Sequence, residues 1–579
     1  MTRTDSFVVG ALVVLLAVLA AVVGAPGLSP ATATIAPSAS PAPFVTRPYV
    51  EGVLGRPVSV SPLTARTQAD RDLVALVFSG LVKNGPSGTL LPDLAKSWTV
   101  DATGATWTFE LRTDARWHDG EPVTAEDVAY TIRTLQNPGY SGPAAGSWHD
   151  ATVEVAGPST VTITLDNPLG GFLQAATQPI APAHLLGDVP VAELTDHEFG
   201  RQPVGSGPFA LVRLDDSAAE LVPASTVLPD ATDEPATGPS PSSVDSLATP
   251  AATLRPTEPS PYLAGIEFRY FDDADSLAAA YRRADLDAAS GLPPAVAGEL
   301  AATPGSRMLR YPGSTLTAVL FNLRADRHVF TTPAIRTGFL AAINRPALIE
   351  AAFARAAGAA NGPIPPSSPL FDPSAADPVA FSRDAAQKAL KDAGWKKSEN
   401  AWRRATDTKP LTFELLSPDA DSNPGVFAAA AAVAADWKYI GVQVTHVPLP
   451  PAEFVTERLS AADFTAAVAD VTIGLDPDLY PLMASSQTLT GGSNIIGLQD
   501  PTLDALLLAA RKPGTPEDRA AAYAALQVQL AKGMYLLPLA FADEPIVVRD
   551  TVQGPRIRQV ADRSDRFWDV LTWRLAADR

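Results

Sequence analysis

The apolar residues of this chain change their repeat between positions 106 and 135. In TWTFELR (106–112), Trp107, Phe109 and Leu111 alternate with Thr106, Thr108 and Glu110, the two-residue period of a half-buried strand. In VTAEDVAYTIRTL (123–135), Val128, Ile132 and Leu135 fall on one face at the helical period, and Pro138 ends the run. A fold holding both patterns so close together needs sheets and helices in one core, so the class is mixed α/β.

The linker between these patterns, RWHDGEP (116–122), first suggests an acid–histidine site, because WHD returns at 148–150. Asp-Gly is a turn signal. Thr124 followed by Asp127 has capping-box spacing, and Glu126 suits a helix N-terminus. The six histidines (118, 149, 184, 197, 328, 446) show no HxxxH or HExxH spacing. The stretch therefore reads as scaffold, His118 as part of a turn, and the second WHD as chance. PVGSGPF (203–209) lacks the first glycine of a nucleophile elbow, since Val204 stands there, and reads as a turn into the strand FALVRL. No phosphate-binding glycine loop occurs. Asp476 and Asp478 in GLDPDLY lack the further oxygen ligands of a calcium loop. They read as a turn before a short helix, or as polar contacts at a cleft rim.

Other elements follow the same rules. TQADRDLVALVFSGLV (67–82) predicts a helix capped by Thr67. SWTV and TWTFELR around DATG, and ATVEV and TVTITL around GPS, predict hairpins. Thr332 with Pro333, and Asn344 with Pro346, start two helices, and 428–447 reads as helix, turn at Gly441, and strand.

Composition limits the function. The 579 residues carry a formal charge of −19, which argues against nucleic acid or an anionic membrane surface as partner. There is no cysteine, so disulfides, thiol catalysis, cysteine-ligated zinc and a lipid-modified N-terminal cysteine are excluded. FVVGALVVLLAVLAAVVGA (7–25) is uncharged and about long enough to span a bilayer. With Arg3 before it, it predicts an N-in anchor with the bulk of the chain outside the cytoplasm. Pro26 disfavours cleavage after VGA, and a cleaved signal with a secreted or periplasmic product is the alternative. Residues 26–46 read as a flexible tether, and the Pro-rich 223–261 as a disordered insertion.

The ordered series of motifs resembles the peptide/nickel-type (family 5) extracellular solute-binding proteins of ABC transporters. It comprises residues 77–132, PVGSGPF, RADLDAA (283–289), 319–349, IGVQVTHVPL (440–449), LDPDLYPLM (475–483), DPTLDALLLAAR (500–511) and 535–554, and spans roughly 50–575. The resemblance implies a two-lobed, periplasmic-binding-protein-like α/β fold (type II, cluster C-like, three domains) with a ligand cleft between the lobes. It would divide the chain into lobe 1 at 47–262 (domains I and II), lobe 2 at 263–540 (domain III), and a return to lobe 1 at 541–579. It implies a non-enzymatic monomer without cofactor or metal. The partners would be an oligopeptide or other small solute, the permease subunits of an ABC importer, and the membrane through the N-terminal helix. Nickel chelates and sugars are alternative ligands, and a sensor or scaffold on the same fold is an alternative role. A carboxylate at the cleft would meet a peptide's amino terminus, with Asp470 and Asp476 both candidates by position. Asn322, closing the strand AVLFN, would face the cleft. Trp148 would stack on ligand side chains or sit in the core. Gln68 and Asn494 complete the candidate set. The family's usual strand end after the GPF strand is replaced here by the Pro-rich insertion, which departs from a standard peptide pocket.

Overall fold

Two antiparallel strands, Ser306–Phe321 and Leu536–Arg549, run through both halves of the molecule and join them. The computed structural model describes residues 44–577 except 141, 144–147, 229–260, 325–328, 376, 400, 405–409 and 489–491. The N-terminal apolar run, the tether up to residue 43 and most of the Pro-rich insertion lie outside the described residues. Among the described residues no helix is long and apolar enough to cross a membrane.

The main sheet has eleven strands. Gln443–Leu449, Thr412–Pro418 and Ala466–Thr472 lie on one side of the two long strands. On the other side follow Ala288–Ser290, Tyr49–Leu54, Ile266–Phe271, Ala218–Pro223 and Phe209–Leu214. Ala357–Ala359 adds to Leu536–Arg549 off this path. The pairing of the long strands shifts register between Pro312 and Leu316, at the junction of the halves. This bulge gives the local change of twist that lets one sheet serve two cores.

In the second lobe both sheet faces are covered. Val319 and Phe321 pack into one core with Phe339, Phe413 and Trp437. Leu316, Ala318 and Leu320 of the same strand pack into the opposite core with Phe454, Leu503 and Tyr523. That two-sided burial explains the near-continuous apolar run TLTAVLF. The first lobe carries a separate four-stranded sheet, in the order Ala95–Val100, Thr106–Leu111, Thr160–Leu165, Ala151–Gly157. The helix Ala125–Leu135 belongs to the same core, into which Val128, Ile132 and Leu135 are buried.

Most local expectations hold. Thr67, Thr332 and Asn344 cap their helices, and both hairpins form. Asp127 accepts from the Thr124 N–H at 2.8 Å and from the Ala183 N–H at 2.8 Å, so its carboxylate is committed to the helix start. His118 ties two sequence motifs together: its Nε2 lies 2.9 Å from the Gly207 carbonyl, and its Nδ1 accepts from the Gly205 N–H at 3.3 Å.

Four boundaries differ from expectation. The helix predicted over 67–82 is Gln68–Val77. It stops because Phe78 is extended and the 205–207 backbone presses on its end; a Cβ at Gly207 would lie 2.7 Å from the Leu76 carbonyl oxygen. The tether predicted to residue 46 ends earlier, because Phe44–Val45 pairs with Arg574–Ala576. The insertion predicted from 223 begins later: Pro223 ends a strand and Ala224–Thr226 forms a helical turn. Finally, Ile266–Phe271 and Ala288–Ser290 both pair with Tyr49–Leu54. The chain therefore passes into the second lobe along Ser306–Phe321, not at 263. Parallel pairing needs a crossover connection, and helix Ala274–Arg282 supplies it.

Candidate ligand-binding site

The lobes meet at glycines. The Gly170 N–H donates to the Arg511 carbonyl at 2.7 Å, and Gly88 lies beside Pro369. Gly171 lies against the Asp476 carboxylate: a Cβ there would sit 2.6 Å from Asp476 Cγ. At 170 and 171 a side chain would collide with the facing surface, so glycine permits this approach.

Between the lobes lies a cavity of about 620 Å³. Asn84, Leu90, Trp107, Leu173 and Gln174 line it from the first lobe. Pro369, Leu370, Leu475, Asp476 and Arg519 line it from the second, and Ile557, Arg558 and Gln559 from the returning C-terminal segment. Arg519 Nη2 donates to Asp476 Oδ2 at 2.7 Å, and both side chains are 17% exposed. The Tyr523 hydroxyl stands 3.5 Å from Asp476 Oδ1, and burial followed by the Asp476 charge pushes its pKa up. Asp478 pairs with Arg511 at 3.0 Å, and burial raises its pKa against the Arg511 charge.

A second cavity of about 450 Å³ opens in the first lobe. Asn84, Gln174 and Arg558 line both chambers. Gln174 Nε2 donates to Asn84 Oδ1 at 3.2 Å, so an amide pair stands where the chambers adjoin.

The six residues selected from sequence are scattered. Asp476 lines the interlobe cavity, as described. Trp148 is buried, packs edge-on against Phe172, and lines the second chamber. Gln68 donates to Asp72 at 3.0 Å and Asp562 at 2.7 Å, within the first lobe. Asn322 donates to the carbonyls of Ala462 and Phe464 at 2.9 and 3.1 Å, and Asn494 to those of Ala484 and Leu498 at 2.9 and 3.0 Å. Both asparagines are buried and pin loops of the second lobe. Asp470 accepts from Thr317 at 2.6 Å and Asn423 at 3.0 Å and lines a separate groove of the second lobe; desolvation raises its pKa although its edge reaches solvent. Asn322, Asn494, Gln68 and Asp470 lie outside the interlobe lining. Sequence reasoning passed over Arg519, Arg558, Gln559 and Gln174. Trp107 was legible only as one apolar position of a strand.

The family of bacterial extracellular solute-binding proteins, family 5 Middle, matches residues 89–493. The chain belongs to this family. Protein XP55 of Streptomyces lividans is 30% identical over 510 residues, covering 87% of this chain and 85% of that protein. The oligopeptide-binding protein AppA of Bacillus subtilis is 22% identical over 534 residues, covering 91% of each. The solved structure of that AppA in complex with a nonapeptide covers 92% of this chain and 100% of its own, at a TM-score of 0.69 and 20% identity. That likeness establishes the two-lobed, type II fold of this solute-binding protein. As a family member, it is an extracellular solute-binding protein.

Proposed function

We propose that this solute-binding protein captures oligopeptides in the interlobe cavity and hands them to a membrane permease of the ABC type. One observation carries the reading: residues of both lobes wall a single cavity, so a ligand held there bridges the lobes and favours their closure. The relative named for oligopeptide binding over nearly the whole chain supports peptide as the class. Glycine backbone at 88 and 514 in the wall suits main-chain pairing, which gives affinity with little side-chain selectivity. Asp476 is the site residue of first choice, held by Arg519 at the rim.

The reading includes a binding role without catalysis, a monomer, and an N-terminal run anchoring the chain to the outer face of the cytoplasmic membrane. The Ser417 hydroxyl lies 2.8 Å from His446 Nε2, yet Ser417 is 0% exposed, so a substrate carbonyl has no path to it. The test is mass spectrometry of small molecules released from the full-length protein purified from its native host. Peptides in the released fraction sustain the reading, and a sugar or metal chelate in their place overturns it.

A further inference from the structure

The second lobe holds a further cavity of about 330 Å³, which shares no lining residue with the interlobe cavity. Two elements border both spaces. In the loop 361–378, Ser367, Pro369 and Leu370 line the interlobe cavity, whereas Phe371, Asp372 and Pro373 line the further one. In the helix Pro516–Gly533, Pro516 and Arg519 line the interlobe cavity, whereas Gln527, Leu530 and Ala531 line the further one. Gln527 ties the loop to the helix. Its Oε1 accepts from the Asp372 N–H at 3.1 Å, and its Nε2 donates to the Leu370 carbonyl at 3.0 Å. The loop is thereby held as a roof over the cavity.

The wall of this cavity offers little to a polar ligand. Pro363, Pro366, Pro373, Pro378 and Pro538 have no N–H to present. Met483, Leu530, Met534 and Leu536 are buried and make an apolar floor. The polar side chains of the lining are engaged elsewhere: Gln527 by the loop, the Tyr535 hydroxyl by Asp500, and Asn361 Oδ1 by Arg345 at 3.3 Å. Among the described residues, no buried polar side-chain atom of this wall lacks a partner. An ordered water needs about two to four polar partners, which the floor does not supply. Protein interiors are close-packed, with few voids larger than a water molecule. An apolar cavity of about 150 Å³ stays dry and binds benzene, and this one is about twice that size.

Two of the chain's four methionines, Met483 and Met534, line this cavity. Met534 adopts the left-handed conformation, φ 43° and ψ 51°, at a helix end where glycine is usual. Contacts from a buried cation hold it there. Arg336 donates from Nε to the Met534 carbonyl at 2.8 Å and from Nη2 to the Gly533 carbonyl at 2.7 Å. Backbone strain that the surroundings enforce clusters at ligand sites. Glycine at 534 would relieve the strain, but it would also remove the thioether from the cavity. Thioether sulfur makes favourable contacts with aromatic rings, and Phe371 adds a ring from the roof. The structure assigns this cavity as a second binding site, for a small uncharged aromatic molecule. Its mouth is marked by the exposed lining residues Asn361, Pro366, Pro373 and Pro378. Such a site is independent of whatever the interlobe cavity binds.

NMR of the full-length protein with isotope-labelled methionine methyl groups tests it, by titration with toluene and with benzoate. Met308→Leu, Met483→Leu and Met534→Leu, made singly, assign the three signals. Toluene is expected to shift the Met483 and Met534 signals saturably, within its aqueous solubility. The signal of Met308, on the strand Ser306–Phe321 and outside the lining, is expected to stay in place. Benzoate is of similar size but charged, and is expected to bind at least about tenfold more weakly. Ala531→Phe places a ring in the cavity and is expected to weaken toluene binding by at least about tenfold. Its melting temperature shows whether the variant is folded. Should it fail to fold, Ala375→Phe on the roof replaces it, with the same expected result. The absence of a saturable shift overturns the site, as does a response that moves Met308 equally or survives in the folded blocking variant. Benzoate binding as tight as that of toluene overturns the uncharged class of ligand.

Discussion

Gly171 of the first lobe and Asp476 of the second are in contact, with no room for a methyl group between them: an added Cβ would stand 2.6 Å from the carboxylate carbon. The φ of Gly171 is −85°, which any residue adopts, so glycine is needed here for space and not for backbone freedom. Gly171→Ala should therefore leave each lobe intact and oppose their closing. The expected result is a ligand affinity lowered by about tenfold, or about 1.4 kcal/mol, with the melting temperature of the ligand-free protein nearly unchanged. Calorimetry and small-angle scattering with and without ligand check it. Full affinity in the variant would show that closure does not pass through this contact.

Arg566 is a buried cation that joins three segments distant in sequence. Its Nη1 donates to Asp72 at 2.8 Å and its Nη2 to Glu51 at 2.8 Å, and the three side chains are at most 1% exposed. Burial alone would lower its proton affinity, but Asp72 and Glu51 outweigh that and the net shift is upward. Arg566→Met leaves two carboxylates buried without their partner. Such a loss costs about 3–5 kcal/mol, to be read as an earlier midpoint in urea unfolding. A midpoint within experimental error of the unaltered protein would contradict this account.

His118 makes stability depend on pH. Burial lowers its pKa from the ordinary 6.5, against the Gly207 carbonyl and Asp119, which raise it. The neutral tautomer with hydrogen on Nε2 satisfies both of its backbone partners. Protonating Nδ1 sets a second donor against the Gly205 N–H. Below pH 6.5 the unfolded chain takes up the proton first, so stability falls as the pH drops through this value towards the folded pKa. NMR titration of the His118 ring should give a pKa below 6.5. A value above it would reverse the sign.

The Pro-rich insertion leaves and re-enters the fold at neighbouring points, since Leu221 pairs with Ile266 in antiparallel strands. Replacing 229–260 by a short Gly-Ser turn should keep the fold. A shorter connection costs less closure entropy, by about 0.6 kcal/mol for each halving of its length, so the melting temperature is expected to stay level or rise slightly. Loss of a cooperative melt would show that the segment is structural.

The candidate site was far less legible than the scaffold. Local features depend on neighbours a few residues away. The strand at 106–111, the Thr124–Asp127 helix start and the turn into Phe209–Leu214 therefore appear as expected. Asn322 looked like a cleft residue because it closes an apolar strand, and Asn494 because its segment matches the family. Their amides instead satisfy loop carbonyls, a need visible only when the loops are folded. The helix predicted to residue 82 failed at Phe78 for a similar reason: the segment that stops it lies more than a hundred residues away.

By itself, the sequence determined the mixed α/β class, the caps and turns, the absence of cysteine chemistry and the membership implied by its ordered motifs. These depend on period, residue chemistry and near neighbours. The tertiary structure alone decided where the lobes divide, that glycines 88, 170 and 171 let them touch, and that Arg519, Arg558, Gln559 and Trp107 wall one cavity. Those residues lie up to 452 positions apart (Trp107 to Gln559). No local pattern marks them, because the space they share forms only when both lobes are folded together.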